Sequence, residues 1–249
     1  MDDKTIDPET IGFVHSFESL GAVDGPGLRY VVFMQGCPLR CAYCHNPDTW
    51  AFESQGAKCI RISAKETAEK ILRYKSYIKN GGVTVSGGEA LMQSGFVRSL
   101  FFLLKNEGLH TALDTSGCGD LQNAKEVLEY TDLVIADLKF SAPEDYKKYC
   151  GLDMDHALAF LSLTEKMDVP LWIRHVVVPD LTDGPEHIRK IAEISYSFKN
   201  LEKIELLPFK KICESKYEEL GIEFPLKDRA ACSAETIESL NKIINDYPL

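Results

Sequence analysis

The stretch Tyr30-Val-Val-Phe-Met34 leads, after one residue, into Gly36-Cys-Pro-Leu-Arg-Cys-Ala-Tyr-Cys-His-Asn-Pro47. The first run is short and rich in Val, as expected of a strand that is covered on both faces of a parallel sheet. The second run carries three cysteines in the spacing C-x3-C-x2-C directly after that strand. In α/β folds the reactive groups lie at the C-terminal ends of parallel strands. This junction therefore indicates both an α/β fold and the place of its chemistry.

Five further runs predict strands of the same kind, and helical segments separate them. The runs are Gly82–Ser86, Thr111–Asp114, Leu133–Ala136, Leu171–Val178 and Ile204–Leu207. Six strand-plus-helix units are fewer than the eight of a complete barrel, which averages about 250 residues. We therefore predict a partial (β/α)6 TIM-like barrel with a parallel sheet. Residues 1–249 are predicted to form one domain, with an N-terminal extension at 1–28 and a closing segment at 211–249.

Capping residues predict four of the helix starts. They are Ser63, Ser141, Asp183 and Ser233. At the first two positions a Glu three residues later completes the pattern of a capping box, in which two side chains satisfy free backbone N–H groups. A Pro in the first turn strengthens the second and third starts, because the first turn of a helix does not need the missing N–H.

The composition excludes several classes of protein. Twenty-eight Lys and Arg against 38 Asp and Glu give a net charge of −10, so general binding to nucleic acid or anionic lipid is not expected. Eight cysteines in 249 residues are too few for a disulfide scaffold. No apolar run reaches the roughly 20 residues of a membrane span. The polar start at residues 1–4 is unlike a signal peptide, so a cytoplasmic location is expected.

The three clustered cysteines indicate a metal centre with an open position. A structural zinc site or an electron-transfer iron–sulfur cluster would normally have four protein ligands. No second C-x2-C pair occurs, because the other five cysteines are isolated. Three ligands on a four-iron cluster would leave one iron free for a small molecule. Two alternatives stay open: a zinc site completed by His45 or a distant cysteine, and three thiols without a joint function.

The cysteine segment, with Tyr43 before its third cysteine, resembles the signature of the radical S-adenosylmethionine (SAM) enzymes. Within that superfamily the chain resembles the activating enzymes of glycyl-radical enzymes, and most of all the pyruvate formate-lyase-activating enzymes. The segments that carry this resemblance are His15–Ser19, Val23–Arg29, Cys44–Trp50, Ser86–Glu89, Leu113–Gly117, Asp137–Lys139, Trp172–Arg174 and Lys203–Pro208.

The resemblance implies a reaction and its partners. SAM would be cleaved reductively at a [4Fe–4S] cluster, and the resulting 5′-deoxyadenosyl radical would remove a Cα hydrogen from a glycine of pyruvate formate-lyase. Flavodoxin or a similar donor would supply the electron to a monomeric enzyme. Two other functions remain open: activation of a different glycyl-radical enzyme, and a non-catalytic iron–sulfur or zinc protein that binds a partner. Residues 45–80 contain only Cys59, so they lack the cysteine-rich insertion of many other activating enzymes.

The resemblance also assigns roles to individual residues. The catalytic cluster ligands would be Cys37, Cys41 and Cys44. SAM would be bound by Tyr43, Gly87, Gly88, Glu89, Asp137, Lys139, Arg174, Val176 and Lys210. A monovalent cation next to SAM would be held by Asp114, Thr115, Ile135 and Asp137. Asp24, in the sequence Asp24-Gly-Pro-Gly27, would bind the glycine loop of the partner protein.

Several of these residues also have an ordinary structural explanation. Glu89 could stand at the start of a helix, where its charge suits the helix dipole. Asp137 and Lys139 could form an ion pair with each other, and Asp24–Gly27 could be a common turn. Lys210 stands where the family pattern has a His. A charged Lys donates hydrogen bonds but cannot accept them, so its contact with SAM is an open point.

Overall fold

The computed structural model describes residues 6–247. The polar start at residues 1–4, on which the expectation of no signal peptide rests, lies outside the described residues. Eight strands are described: β1 Ile11–Gly21, β2 Arg29–Met34, β3 Ile60–Ser63, β4 Gly82–Gly87, β5 Thr111–Thr115, β6 Leu133–Asp137, β7 Leu171–Val177 and β8 Leu201–Pro208. Nine α-helices are described: α1 Ala64–Leu72, α2 Lys75–Ile78, α3 Ser94–Asn106, α4 Leu121–Leu128, α5 Pro143–Cys150, α6 Met154–Lys166, α7 Pro185–Tyr196, α8 Glu214–Leu220 and α9 Ala234–Asn245.

All eight strands form a single sheet in the order β3-β1-β2-β4-β5-β6-β7-β8. The six predicted strands are β2 and β4 to β8, and they run parallel to one another. Strands β3 and β8 are the two edges, so the sheet is not closed. The predicted partial (β/α)6 barrel is confirmed. Strands β1 and β3 extend it on one side, where β1 pairs antiparallel with both β2 and β3.

The N-terminal part of the chain contributes one of these added strands. Residues 11–21 belong to the predicted extension, yet they form β1, which pairs antiparallel with β2 and β3. Only Gly12, Val14 and Gly21 of this strand are buried. The strand was missed in the sequence because its polar middle, around Glu18, breaks the alternation of apolar and polar residues that marks a half-buried strand.

Two of the predicted helix starts are confirmed by their side-chain hydrogen bonds. The Ser63 hydroxyl accepts from the backbone N–H of Glu66 at 3.2 Å, and the Glu66 carboxylate accepts from the backbone N–H of Ser63 at 3.0 Å. This reciprocal pair is the predicted capping box at α1. Ser233 caps α9 by accepting from the backbone N–H of Thr236 at 3.1 Å.

The other two predicted starts are wrong by one residue. Helix α5 is preceded by Ala142 and α7 by Gly184, and neither residue offers a capping side chain. The Ser141 hydroxyl instead lies 2.9 Å from Nδ1 of His187, so a tertiary contact has replaced the local cap. Both helices begin at a Pro, whose fixed φ angle suits the first helical position.

The predicted closing segment divides into two parts with different contacts. Helix α9 packs through Leu240 and Ile244 on a small apolar cluster that includes Ile188 and Ala192 of α7. Helix α8 lies against the loop that follows β2. Within residues 6–247 no helix has both the length and the apolar character of a membrane span.

Candidate functional site

A cavity of about 320 Å³ opens at the C-terminal ends of the parallel strands. Most of the predicted site residues line it: Asp24, Cys37, Cys41, Tyr43, Cys44, Gly87, Gly88, Asp114, Thr115, Asp137, Lys139, Arg174 and Val176. Glu89, Ile135 and Lys210 are not in its lining. The fold therefore brings together side chains from six segments of sequence, as expected for the carboxyl end of a parallel sheet.

The cysteine loop, residues 36–44, is held by the backbone of two other segments. The N–H of Gly36 donates to the carbonyl of Thr49 at 2.8 Å, and the N–H of Ala42 donates to the carbonyl of Tyr149 at 2.8 Å. The loop is thus fixed on one side by the chain that follows it and on the other by the end of α5. These bonds keep the three thiols at one wall of the cavity.

The environments of the three thiols differ. Burial raises the pKa of Cys37 to about 12, with the Glu89 carboxylate adding to the shift, and burial raises the pKa of Cys44 to about 11. A hydrogen bond with the thiol of Cys150 lowers the pKa of Cys41 to about 7, against the opposing effect of burial. Cys150 is fully buried. Sequence spacing gave no sign of this contact, because α5 brings Cys150 to the loop from a different unit of the fold.

Three thiols that face one cavity provide the kind of sulfur ligands that an iron–sulfur cluster uses. Within the part of the chain that the structure describes, no group of three or more His, Cys, Asp or Glu side chains is placed to hold one ion. All three thiols nevertheless face the same cavity. His45, the candidate fourth zinc ligand, uses Nε2 to donate to the carbonyl of Lys210 at 2.9 Å.

Glu89 lies beneath the cavity and is only 1% exposed. Its carboxylate accepts from the N–H of Leu91 at 3.0 Å, the N–H of Ser116 at 2.9 Å, and the hydroxyls of Thr115 and Ser116. The residue caps a short 3-10 turn, which is the structural alternative considered for it from sequence. Its direct contact with SAM stays a prediction.

The two glycines before Glu89 present their backbone to the cavity. Gly87 has a φ of +110°, and a Cβ atom there would collide with the backbone of Met34 on the neighbouring strand. Only a glycine allows this close approach. The backbone of Gly87 and Gly88 is therefore the part of the Ser-Gly-Gly-Glu sequence that a bound molecule can reach.

A charged wall faces the cysteines across the cavity. The Lys139 Nζ lies 2.6 Å from the Asp137 carboxylate, which is the pairing considered from sequence. Arg174 contacts two carboxylates, Glu205 at 2.7 Å through Nε and Asp114 at 3.6 Å through a terminal nitrogen. Glu205 was not predicted, because nothing in its sequence position distinguishes it from a surface residue.

Asp114 is an acid of this wall whose pKa is shifted upward. Burial raises its pKa to about 6, Arg174 opposes the shift, and the nearby Asp137 adds to it. The Ser86 hydroxyl donates to the Asp114 carboxylate at 2.8 Å. Two carboxylates of the predicted cation site thus line the cavity with Thr115, whereas the fourth predicted member, Ile135, is fully buried outside the lining. The cation stays a hypothesis.

A buried tyrosine and a buried histidine support the end of β6. The Tyr146 hydroxyl donates to the carbonyl of Asp137 at 3.2 Å and accepts from the N–H of Lys139 at 3.2 Å. Nδ1 of His175 donates to the carbonyl of Leu138 at 2.7 Å. These bonds fix the bend that points Asp137 and Lys139 at the cavity, and the sequence carried no signal for Tyr146.

Asp24 stands at the mouth of the cavity in an irregular segment between β1 and β2. Burial raises its pKa, while the charge of Arg174 opposes the shift. Three apolar side chains within four residues of Asp24 in the sequence are exposed: Leu20 at 47%, Val23 at 78% and Leu28 at 36%. An exposed apolar group beside a polar anchor is typical of a surface that contacts another protein.

The C-terminal part of the chain covers the cysteine loop. The Tyr217 hydroxyl on α8 donates to the carbonyl of Cys44 at 3.2 Å, and Nζ of Lys216 lies 2.9 Å from both Asn46 and Asp48. The side chain of Lys210 is exposed, so only its carbonyl takes part, through His45. The contact of Lys210 with SAM therefore stays a prediction without support from this geometry.

Several known proteins are similar to this chain in sequence, in fold or in both. A family profile described as a 4Fe-4S single cluster domain matches residues 23–150. The protein named pyruvate formate-lyase-activating enzyme in Clostridium pasteurianum is 45% identical over 238 residues, covering 95% of this chain and 98% of that protein. The protein of the same name in Staphylococcus aureus (strain USA300) is 41% identical over 242 residues, covering 94% and 95%.

Two solved structures share the fold. A domain of pyruvate-formate lyase-activating enzyme from Bacteroides vulgatus superposes with a TM-score of 0.56 at 24% identity, over 67% of this chain and 94% of that one. Streptococcus suis SuiB bound to S-adenosylmethionine superposes with a TM-score of 0.61 at 17% identity, over 85% of this chain and 45% of that one.

Proposed function

The chain belongs to the family of pyruvate formate-lyase-activating enzymes, and we propose that the cavity at the end of its sheet performs that family's reaction. When bound, a [4Fe–4S] cluster and SAM would supply a one-electron cleavage that yields a 5′-deoxyadenosyl radical. The reaction would move a Cα hydrogen from a glycine of pyruvate formate-lyase to that radical, which gives 5′-deoxyadenosine and a glycyl radical on the partner. The observation that carries the proposal is that three thiols, a charged wall and Asp24 all line one cavity.

In this proposal Cys37, Cys41 and Cys44 hold the cluster. Thiolates are the form that binds iron, and the charge of the bound iron offsets the burial that otherwise keeps Cys37 and Cys44 protonated. Three protein ligands would leave one iron of the cluster available to SAM. The chain is one radical SAM domain, and helix α8 limits the access of water and oxygen to the loop.

The remaining lining residues bind and orient SAM. The backbone at Gly87 and Gly88 meets its amino end, and the cations Lys139 and Arg174 favour a carboxylate nearby. Asp114 and Asp137 carry negative charge that suits the sulfonium and ammonium groups, and a monovalent cation at Thr115 would reduce the repulsion between these acids. The ring of Tyr43 closes the cavity below Lys139, to whose carbonyl its hydroxyl donates at 3.4 Å.

The partner protein meets the enzyme at Asp24. Its carboxylate can accept hydrogen bonds from the backbone of an extended glycine loop, while Leu20, Val23 and Leu28 provide exposed apolar contacts. The glycine Cα then lies at the mouth of the cavity in which the radical forms. We further propose that flavodoxin or a similar low-potential donor supplies the electron and that the enzyme acts as a monomer under anaerobic conditions.

Two assays test the proposal in sequence. Anaerobically reconstituted protein receives SAM and dithionite, and release of methionine and 5′-deoxyadenosine is measured; a non-catalytic iron–sulfur or zinc protein would release neither. Pyruvate formate-lyase is then added, and the glycyl signal is followed by electron paramagnetic resonance. If SAM is cleaved but pyruvate formate-lyase stays silent while another glycyl-radical enzyme gives the signal, the assignment of the partner is wrong.

A further inference from the structure

The segment that carries Asp24 is held in place by side chains from three strands. Its backbone carbonyls accept three hydrogen bonds from outside the segment: Val23 from Arg174 of β7, Asp24 from the hydroxyl of Thr84 of β4 at 2.6 Å, and Pro26 from Arg29 of β2 at 3.1 Å. Arg174 lines the cavity, whereas Thr84 and Arg29 are fully buried behind it. The last two have no role in the proposed function so far.

The hydrogen bonds of Thr84 have only one possible direction. Nε of Arg29 lies 2.6 Å from the Thr84 hydroxyl oxygen, and a guanidinium can only donate. The single proton of the hydroxyl must therefore point at the carbonyl of Asp24. The result is a chain from Arg29 through Thr84 to Asp24, in which the positive charge at one end strengthens both bonds in a buried environment.

Arg29 uses its other four N–H groups without a carboxylate partner. One terminal nitrogen donates to the carbonyls of Pro26 and Gly81, and the other to the carbonyl of Val83 at 2.6 Å and to Nδ1 of His110 at 3.2 Å. A buried cation is costly unless every donor is satisfied. The bonds to Gly81 and Val83 connect β2 with the start of β4. The bond to Pro26 contacts the Asp24 segment directly, and the bond to Thr84 contacts it through the Thr84 hydroxyl.

The backbone of the segment also lies close to residues 80 and 81, which come directly before β4. Gly27 has a φ of +72°, and a Cβ atom at this residue would lie 2.9 Å from the carbonyl oxygen of Asn80. The segment therefore has a glycine at the position where its backbone lies close to that of Asn80 and Gly81. Besides this close contact, the hydrogen bonds from Thr84 and Arg29 hold the carbonyls of Asp24 and Pro26.

We propose that Thr84 and Arg29 are positioning residues for the partner's glycine loop: acting through the carbonyls of Asp24 and Pro26, they fix where the Asp24 carboxylate stands at the cavity. The inference rests on the proposed role of Asp24 in binding the partner. It adds two residues that touch neither SAM nor the partner but set the geometry of hydrogen abstraction.

Thr84→Val tests the inference, because it keeps the shape of the side chain and removes only the hydroxyl. The variant loses both hydrogen bonds of the hydroxyl, the one from Arg29 and the one to the Asp24 carbonyl. We expect the KM for pyruvate formate-lyase to rise about tenfold. The number of glycyl radicals formed per 5′-deoxyadenosine released should fall about fivefold or more, and Thr84→Ser should restore both values to within about twofold. Thr111→Val is the matched control, since Thr111 is equally buried on the next strand and its hydroxyl donates to Tyr130 instead.

A second measurement does not depend on turnover. Amide hydrogen exchange of residues 22–28 in the cluster-loaded enzyme, without partner, should become about tenfold faster in Thr84→Val and stay unchanged in Thr111→Val. If Thr84→Val matches Thr111→Val in KM, radical yield and exchange, the inference is overturned. If instead Asp24→Ala, which removes the acceptor oxygens, leaves the KM for the partner unchanged, the proposed role of Asp24 is wrong, whatever Thr84→Val does.

Discussion

Replacing Glu89 by Gln should destabilise the protein strongly, although the two side chains have the same shape. Each carboxylate oxygen accepts from one backbone N–H, that of Leu91 or that of Ser116. Whichever oxygen becomes an NH2 group then faces a backbone donor that cannot turn away. Loss of a buried hydrogen bond to a charged acceptor, with the N–H left unsatisfied, costs about 3 kcal/mol. In a chain of this length we expect the melting temperature to fall by about 6–12 °C.

Thermal unfolding followed by circular dichroism measures this effect in the anaerobically purified protein. The control is Glu66→Gln, which changes a capping carboxylate at the exposed start of α1 and should lower the melting temperature much less. SAM affinity is measured in parallel by calorimetry. If Glu89→Gln melts like the wild type but binds SAM about tenfold more weakly, the carboxylate contacts the ligand directly, and the buried hydrogen-bond network is refuted.

Three further changes test the site. Cys41→Ala removes one of the three cluster thiols, so bound iron and 5′-deoxyadenosine release should both fall below about a tenth; a full iron content would contradict the ligand set. Asp114→Asn should raise the free energy of unfolding at pH 8 by roughly 1–3 kcal/mol, and the melting temperature with it, because burial raises the pKa of Asp114 to about 6. The ionised acid destabilises the folded state above that pH, and the gain should shrink as the pH falls towards 4; a gain independent of pH would refute this explanation. Tyr217→Phe removes the hydroxyl that donates to Cys44 and should speed the bleaching of the cluster in air about threefold. Tyr196→Phe, which loses a similar bond to the distant Ile244, should not.

The fold could be predicted from sequence because its strands are simple. Runs such as Tyr30–Met34 and Leu133–Ala136 are apolar on both faces, and that pattern is typical of parallel strands between two layers. Strand β1 escaped prediction, because an outer antiparallel strand with a polar middle lacks such a pattern. The helix starts at Ser141 and Asp183 were misplaced because local capping competes with tertiary contacts, such as that of Ser141 with His187.

The site could be predicted where its residues are neighbours in the sequence or follow the strands of the parallel sheet. The three cysteines are neighbours in the chain, and the polar residues at the strand ends meet because parallel strands align their carboxyl ends. The supporting residues could not be found in this way. Tyr146 and Cys150 reach the site from α5, and Thr84 looks like any small residue within a strand. Their roles depend on contacts between distant segments, which no local pattern encodes.

The cover over the cysteine loop has a consequence for how the protein is made. The hydroxyl of Tyr217 that closes on Cys44 belongs to a helix 173 residues further along the chain. During synthesis the loop therefore emerges from the ribosome long before the helix that shields it. Iron and sulfide have unhindered access to the nascent loop, but a cluster inserted then would be bare to oxygen until α8 arrives. Maturation is safest as a late event, on a chain whose last third has already folded.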